Sequence, residues 1–261
     1  MSLLSVVIIT HNEEHNIRRC LESVRSVADE IVVVDSNSTD ATAEICREFG
    51  ARVIDQPWLG YAAQKNFANQ QAQHDWILSM DADEELDYEL QHAIQSQKSL
   101  GFTGAYILNR LTIYCGHPIR HSGWYPDPKI RLWNRKQGAW QGYIHETVEF
   151  TENVAVLSLP GHLNHYSYHS ITEHIKQADK FTTMTAEEAF KNGAKRKRRC
   201  AIRCKTAWKF FRDYVLRLGF LDGYYGFVVC RISAFATFLK YTKINELHNQ
   251  ASHGTSENRP Q

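Results

Sequence analysis

Four apolar runs in the first eighty residues constrain this chain most. They are "LSVVIIT" (4–10), "EIVVVD" (30–35), "ARVID" (51–55) and "WILSM" (76–80). Each is short, rich in Val and Ile, and continuous rather than alternating, the pattern of a strand buried on both faces. Between and after them lie stretches with helical spacing: "NIRRCLESVRSV", with Ile17, Leu21 and Val24 on one side; "DATAEICREFG", stopping at Gly50; "YAAQKNFANQQAQ"; and "YELQHAIQSQK". Strands alternating with helices predict βαβ units and a parallel sheet covered on both faces. The opening "MSLLSVVIITHNEE" reads as the first of these strands, because it lacks a basic start and a small-residue cleavage site.

In such sheets, ligands bind outside the carboxyl ends of the strands. Three polar clusters fall there: Thr10-His11-Asn12-Glu13, Asp35-Ser36-Asn37-Ser38 and Asp81-Ala82-Asp83. They are expected to converge on one crevice. The stretch "ILSMDADEEL" (77–86) crowds Asp81, Asp83, Glu84 and Glu85 behind a strand, where like charges repel. A hard divalent cation with diphosphate oxygens would relieve that repulsion. The competing reading is helix capping by Asp83, Glu84 and Asp87. Asp35 can accept hydrogen bonds from a base or ribose, or cap the next helix. Lys65 can meet phosphate and Asn66 can bind a base or fix a loop, or both can sit on a solvated helix face. No GxxxxGK[ST] or GxGxxG loop is present, so P-loop and dinucleotide readings lose support.

From about 105 to 166 the pattern changes to short strands, "AYILNRLTIY", "KIRLWN", "ETVEF" and "VAVLSL", among turns and aromatics. This predicts a mixed or antiparallel extension walling one side of the crevice.

The ordered motifs "SVVIITHNEEHNIRRCLESV", "EIVVVDSNSTDATAEI", "AAQKNFA" and "WILSMDADEEL" resemble the family 2 glycosyltransferases with the GT-A fold, over residues 4–90. "HSGWYPDPKIRLWNRKQGAWQGYIHETVEF" with "GHLNHYSY" is similar to a narrower branch, the bacterial glucosyltransferases of lipopolysaccharide inner-core biosynthesis. The resemblance implies an α/β fold: a GT-A (Rossmann-like) mixed sheet sandwiched by helices, with a C-terminal amphipathic helical extension. It implies an inverting, metal-dependent hexosyltransferase that uses a UDP-sugar, such as UDP-glucose, with Mg²⁺ or Mn²⁺. By the same resemblance Asp35 holds the uracil, Thr10, His11 and Glu13 line the nucleotide floor, Asp83 meets the metal, and Asp81 meets the ribose or the metal. His165 is a candidate late metal ligand. An inverting transfer needs a general base for the acceptor hydroxyl. Glu146 is favoured, and Asp127, held between Pro126 and Pro128, competes as a rigid turn residue. Arg131 and Arg135 are candidates for an anionic acceptor, against a solvated strand.

Net charge is +1, but it is unevenly spread. Acids prevail up to Phe190, whereas Lys191–Arg217 is strongly basic with Asp213 its single acid. "KRKRR" (195–199) suggests nucleic acid, but the following segment argues for a different partner. Wound at 100° per residue, Cys204, Ala207, Trp208, Phe211, Tyr214, Val215 and Leu218 share one side of 203–218, and Lys205, Lys209, Arg212, Asp213 and Arg217 the other, while Phe210 and Leu216 break the pattern. A basic amphipathic helix with Trp and Phe suits an anionic membrane surface. The rival is a terminal helical pair packed on the sheet. The six cysteines show no CxxC pair, as in a reduced cytosolic protein.

The expected organisation is a catalytic domain at 1–185, a membrane-associating extension at 186–250 contacting lipid through 191–243, and a disordered tail at 251–261. The expected location is the inner face of the cytoplasmic membrane. The expected partners are a nucleotide sugar and a lipid-linked oligosaccharide, the heptose region of the inner core, with no nucleic acid. A sugar nucleotidyltransferase and an inactive membrane adaptor are the rival functions.

Overall fold

The computed structural model describes residues 1–142 and 146–254, the last three by their backbone alone. The chain divides into two compact units, Met1–Leu111 with Pro126–Tyr166, and Thr112–Tyr125 with Ser167–Gln261.

The first unit opens with the alternation that the sequence predicts: β1 (Leu4–Thr10), α1 (Ile17–Val24), β2 (Glu30–Asp35), α2 (Thr42–Glu48), β3 (Arg52–Asp55), α3 (Tyr61–Gln71), β4 (Trp76–Asp81), β5 (Glu84–Leu86) and α4 (Tyr88–Leu100). Then come β6 (Ala105–Tyr114), β7 (His117–Pro118), β8 (Asp127–Asn134), β9 (Gly138–Gln141), β10 (Thr147–Phe150) and β11 (Val156–Tyr168). The main sheet has the order β3-β2-β1-β4-β8-β6-β11-β5. Strands β3, β2, β1 and β4 are parallel, β8 is antiparallel to β4 and to β6, and β11 is antiparallel to β5. This is the expected mixed α/β class. The later strands extend the sheet, except that β9 and β10 form a separate antiparallel pair.

Successive residues of a strand point to opposite faces, and both faces of this sheet are buried. Val6 and Ile8 pack with Ile17, Leu21 and Cys46 from α1 and α2 and with Leu90 and Ile94 from α4. Val7 and Ile9 pack with Ala68 from α3 and with Trp133 and Trp140. That double burial is why the runs are continuous rather than alternating.

The second unit contains α5 (Ile171–Lys191), α6 (Arg199–Phe211) and α7 (Gly223–Gly254). The expected domain boundary after residue 185 falls inside α5; a continuous helix holds those residues together, and the division comes at Tyr166 instead. Helices α6 and α7 form an antiparallel hairpin. Lys197 donates its N–H to Asn245 near one end, Lys205 lies over the Tyr241 ring, and Arg231 lies over Phe210 near the other end. The helix expected over 203–218 is shorter, because the α-helix stops at Phe211. A π-helical turn follows at Arg212–Leu216, then Leu218 in the left-handed region at φ 55°, then a 3₁₀ turn at Gly219–Asp222. Helix α7 continues through Gly254, inside the tail expected at 251–261, and residues 255–261 lie outside those described. Among the described residues no helix is long and apolar enough to cross a membrane.

Candidate active site

The parallel strands bring the three polar clusters side by side. Thr10 at the end of β1 is in register with Asp35 at the end of β2, and Ile9 is in register with Asp81 at the end of β4. The first two loops are laced together. Asn12 N–H donates to Ser38 Oγ at 2.8 Å, Thr39 N–H to Asn12 Oδ1 at 2.8 Å, and Glu13 N–H to Thr42 Oγ1 at 2.8 Å. Asn12 and Asn37 both take positive φ, 54° and 59°, which Asn tolerates better than most residues.

Asp35 is 2% exposed and accepts from Ser38 twice, N–H at 2.8 Å and Oγ–H at 2.5 Å. It therefore shapes its own turn as well as ending a strand. His11 Nδ1 is 2.9 Å from the Ser36 carbonyl. Thr10 is 5% exposed, and its Oγ1 is buried with no hydrogen-bond partner. Glu13 accepts from Asn16 Nδ2 at 2.8 Å. Burial, reinforced by the charges of Asp83, Asp40 and Asp81, raises its carboxyl to about 7 despite the Asn16 hydrogen bond.

The carboxylates of "DADEE" divide into distinct roles. Asp81 Oδ1 lies 3.0 Å from Lys65 Nζ and its Oδ2 lies 2.8 Å from Arg131 Nη2. Burial would raise the Asp81 pKa, but the Lys65 and Arg131 charges dominate and hold it well below the carboxylate range. Glu84, fully buried, accepts from Arg131 Nη2 at 2.5 Å and from the Asp81 N–H at 3.0 Å. Asp83 points elsewhere, with Oδ2 3.0 Å from His165 Nε2. Burial opposes a charge on His165, but the Asp83 carboxylate outweighs it and raises the His165 pKa. Capping is left to Asp87, which accepts from Leu90 N–H at 2.8 Å. The capping reading thus holds for Asp87, whereas Asp83 and Glu84 are turned to other partners.

Among the described residues no group of three or more His, Cys, Asp and Glu side chains is arranged to hold a metal. The donor pair Asp83 and His165 nevertheless fits a cation that takes its remaining ligands from diphosphate and water. Asp81 fits that role poorly, because Lys65 and Arg131 already neutralise it.

The expected bases separate as well. Glu146 Oε1 lies 3.3 Å from Lys65 Nζ, so it borders the Lys65–Asp81 pair. Asp127 is gripped by Arg110 Nη2 at 2.7 Å and Lys129 Nζ at 3.0 Å. Burial raises its pKa, but Arg110 foremost, then Lys129, pull it below the ordinary value, which makes it a weak proton acceptor.

Two arginines do something the sequence did not suggest, and Asn66 takes one of its two expected roles, holding a neighbouring segment. Asn66 donates to the Trp140 carbonyl and accepts from the Trp140 N–H, both at 2.9 Å, so its amide clamps β9. Arg131, expected to face an acceptor or solvent, is 2% exposed and locked to Asp81 and Glu84. Arg135 donates to the Asn69 and Gln70 carbonyls, serving the end of α3 and no acceptor. Trp140 was missed altogether. Its ring lies 4.7 Å from Lys65 Nζ and 5.6 Å from Arg131 Cζ, a platform under both cations. The available signal for Arg131 was its place between Ile130 and Leu132 in β8, where an unpaired charge would be too costly.

The chain matches the model of "Glycosyl transferase family 2" over residues 5–149. It is 36% identical over 258 residues to an uncharacterized glycosyltransferase of Rickettsia typhi, covering 95% of this chain and 88% of that one. It is 30% identical over 257 residues to the lipopolysaccharide core biosynthesis glycosyltransferase LpsC of Rhizobium meliloti, covering 94% and 93%. Among solved structures, glucosyl-3-phosphoglycerate synthase of Mycobacterium tuberculosis matches at 22% identity with a TM-score of 0.36, covering 42% of this chain and 44% of that one.

Proposed function

The chain belongs to glycosyl transferase family 2, and from that premise we propose that it is an inverting transferase moving a hexose, glucose from UDP-glucose, to a lipid-linked oligosaccharide. The proposed acceptor is the heptose region of the lipopolysaccharide inner core. The similarity to LpsC along almost the whole chain supports that acceptor class. Family membership favours transfer over nucleotide-sugar synthesis.

One observation carries the reading: the ends of β1, β2 and β4 set Thr10, Asp35 and Asp81 in adjacent register, with Asp83 against His165 just beyond. In the proposed arrangement Asp35 and the Thr10 hydroxyl face the nucleoside. Asp83 and His165 hold Mg²⁺ or Mn²⁺. When bound, that cation supplies positive charge to the leaving diphosphate. Lys65 and Arg131, fixed by Asp81, Glu84 and Trp140, keep positive charge beside the same region. Glu146 takes the proton from the acceptor hydroxyl as it attacks the anomeric carbon. The chain works at the inner face of the cytoplasmic membrane, where a lipid-linked acceptor is presented.

The test is slow hydrolysis of UDP-glucose, UDP-galactose, UDP-N-acetylglucosamine and GDP-mannose with Mg²⁺, Mn²⁺ or EDTA, beside Asp83→Ala. Metal-dependent UDP release from one donor, lost in the variant, is the expected result. No turnover and no binding of any nucleotide sugar would favour an inactive adaptor.

A further inference from the structure

The second unit concentrates exposed apolar side chains on α6 and the turn that follows it. On α6, Cys204, Trp208, Phe211 and, just beyond it, Val215 recur at intervals of three and four. Trp208 is 56% exposed, and Cys204, Phe211 and Val215 are exposed too. Leu216, Phe220 and Leu221 in the turn after α6, and Tyr224 in the first turn of α7, add exposed apolar side chains beside the strip. The apolar side of this helix is therefore the open one. The turn is held by hydrogen bonds. Asp222 accepts from the Arg120 and His121 N–H groups at 3.1 and 2.9 Å, and Ser122 N–H donates to the Arg217 carbonyl at 2.9 Å.

Charge borders the strip. At 100° per residue Arg203 lies on one side of it and Lys205 and Arg212 on the other, and residues 195–199 are basic and exposed at the start of α6. Asp213, 1% exposed, pairs with Lys209 at 2.6 Å and Arg212 at 2.8 Å on the side of the helix away from the strip, so the charge that borders the strip rests chiefly on Arg203, Lys205 and residues 195–199. A second copy of this chain would fit badly, since a two-fold interface places the same patch on both partners and would press basic rim against basic rim. An anionic bilayer surface is complementary in both apolar and charged character.

Resting on the membrane-surface reading above, we propose that the open face of α6 with the 215–224 turn is the lipid-docking element, lying in the plane of an anionic leaflet. Beyond its first turn, helix α7 packs along α6 from Arg231 over Phe210 to Asn245 at Lys197. The apolar strip provides insertion, and the rim provides selectivity for negative headgroups.

The test uses the full chain and vesicles of phosphatidylcholine alone or mixed with phosphatidylglycerol, read by co-sedimentation. The protein should pellet with the anionic vesicles, less so in high salt, and stay in solution with the neutral ones. Trp208→Ser/Leu216→Ser/Leu221→Ser should weaken binding at least tenfold. Arg203→Gln/Lys205→Gln should weaken it about fivefold per charge. Both variants should keep the wild-type melting temperature and UDP-sugar hydrolysis. A membrane-impermeant maleimide should label Cys204 more slowly when anionic vesicles are present. The proposal is overturned if anionic vesicles do not pellet the protein, if the triple variant binds as the wild type does, or if the same strip instead forms a dimer that the triple variant dissolves. Vesicle binding without any donor turnover would overturn the transferase reading and leave the docking face standing.

Discussion

Lys65 Nζ lies 3.0 Å from Asp81 Oδ1, and the lysine side chain is 3% exposed. A buried ammonium of this kind persists because Asp81 and Glu146 offset its desolvation and the Trp140 ring lies against it. Lys65→Met would leave Asp81 with Arg131 alone and release Glu146. We expect about 1–3 kcal/mol of destabilisation in chemical unfolding and a loss of UDP-sugar hydrolysis larger than the unfolding explains. Full turnover in a folded Lys65→Met protein would show that Lys65 is purely structural.

Arg131 should matter more to folding. It is the shared partner of Asp81 and Glu84, and removing one member of a buried ion pair costs about 3–5 kcal/mol. Arg131→Met should therefore unfold at markedly lower denaturant. Arg131→Lys should rescue little, because a single ammonium does not reproduce the guanidinium fork. Denaturation midpoints of the two variants check this.

The two base candidates predict opposite results. Glu146→Gln should lower the transfer rate by about 10²–10⁴-fold with a small change in melting temperature. Asp127→Asn should keep the chemistry and lose stability, since it removes the partner of Arg110 and Lys129. Parallel rate and melting measurements separate them, and a dead Asp127→Asn with an active Glu146→Gln would reverse the assignment.

Asp83→Ala and His165→Ala should each abolish the extra thermal stabilisation that Mn²⁺ gives in the presence of UDP. A ligand at a hundred times its Kd stabilises by about 2.7 kcal/mol, so the missing shift is readily measured. Equal metal-dependent shifts in wild type and variants would move the cation to other residues.

Glu13 gives a pH signature. Its carboxyl is raised from 4.5 to about 7, chiefly by burial. Between those values the folded protein holds a proton that the unfolded chain has released. This stability is fully present below about 4.5 and is lost as pH rises through about 7. In metal-free buffer, Glu13→Gln should flatten the fall in stability between pH 5 and 8, and an unchanged profile would remove Glu13 from that titration.

The sequence by itself determined the alternating layout of the first unit. Continuous runs such as "VVII" belong to strands covered on both faces, and polar residues at their carboxyl ends must then lie along one edge. That is why Thr10, Asp35 and Asp81 were readable as neighbours before any coordinates. It also located the apolar side of α6, because 3.6-residue periodicity is local. It could not tell whether that side would be packed or open, since exposure depends on distant chain.

Tertiary structure alone divided the roles of the acids. Asp81, Asp83, Glu84 and Asp87 share one short stretch, yet they meet Lys65 and Arg131, His165, Arg131, and the start of α4 respectively. Apart from the local Asp87 cap, those partners are distant in sequence, 16 residues away on α3, about 50 on β8 and further still on β11. A carboxylate's chemistry is set by the charges within a few ångströms of it, and only the folded sheet brings them there. The same reason sets Asn66 against the Trp140 backbone and turns Arg131 inward.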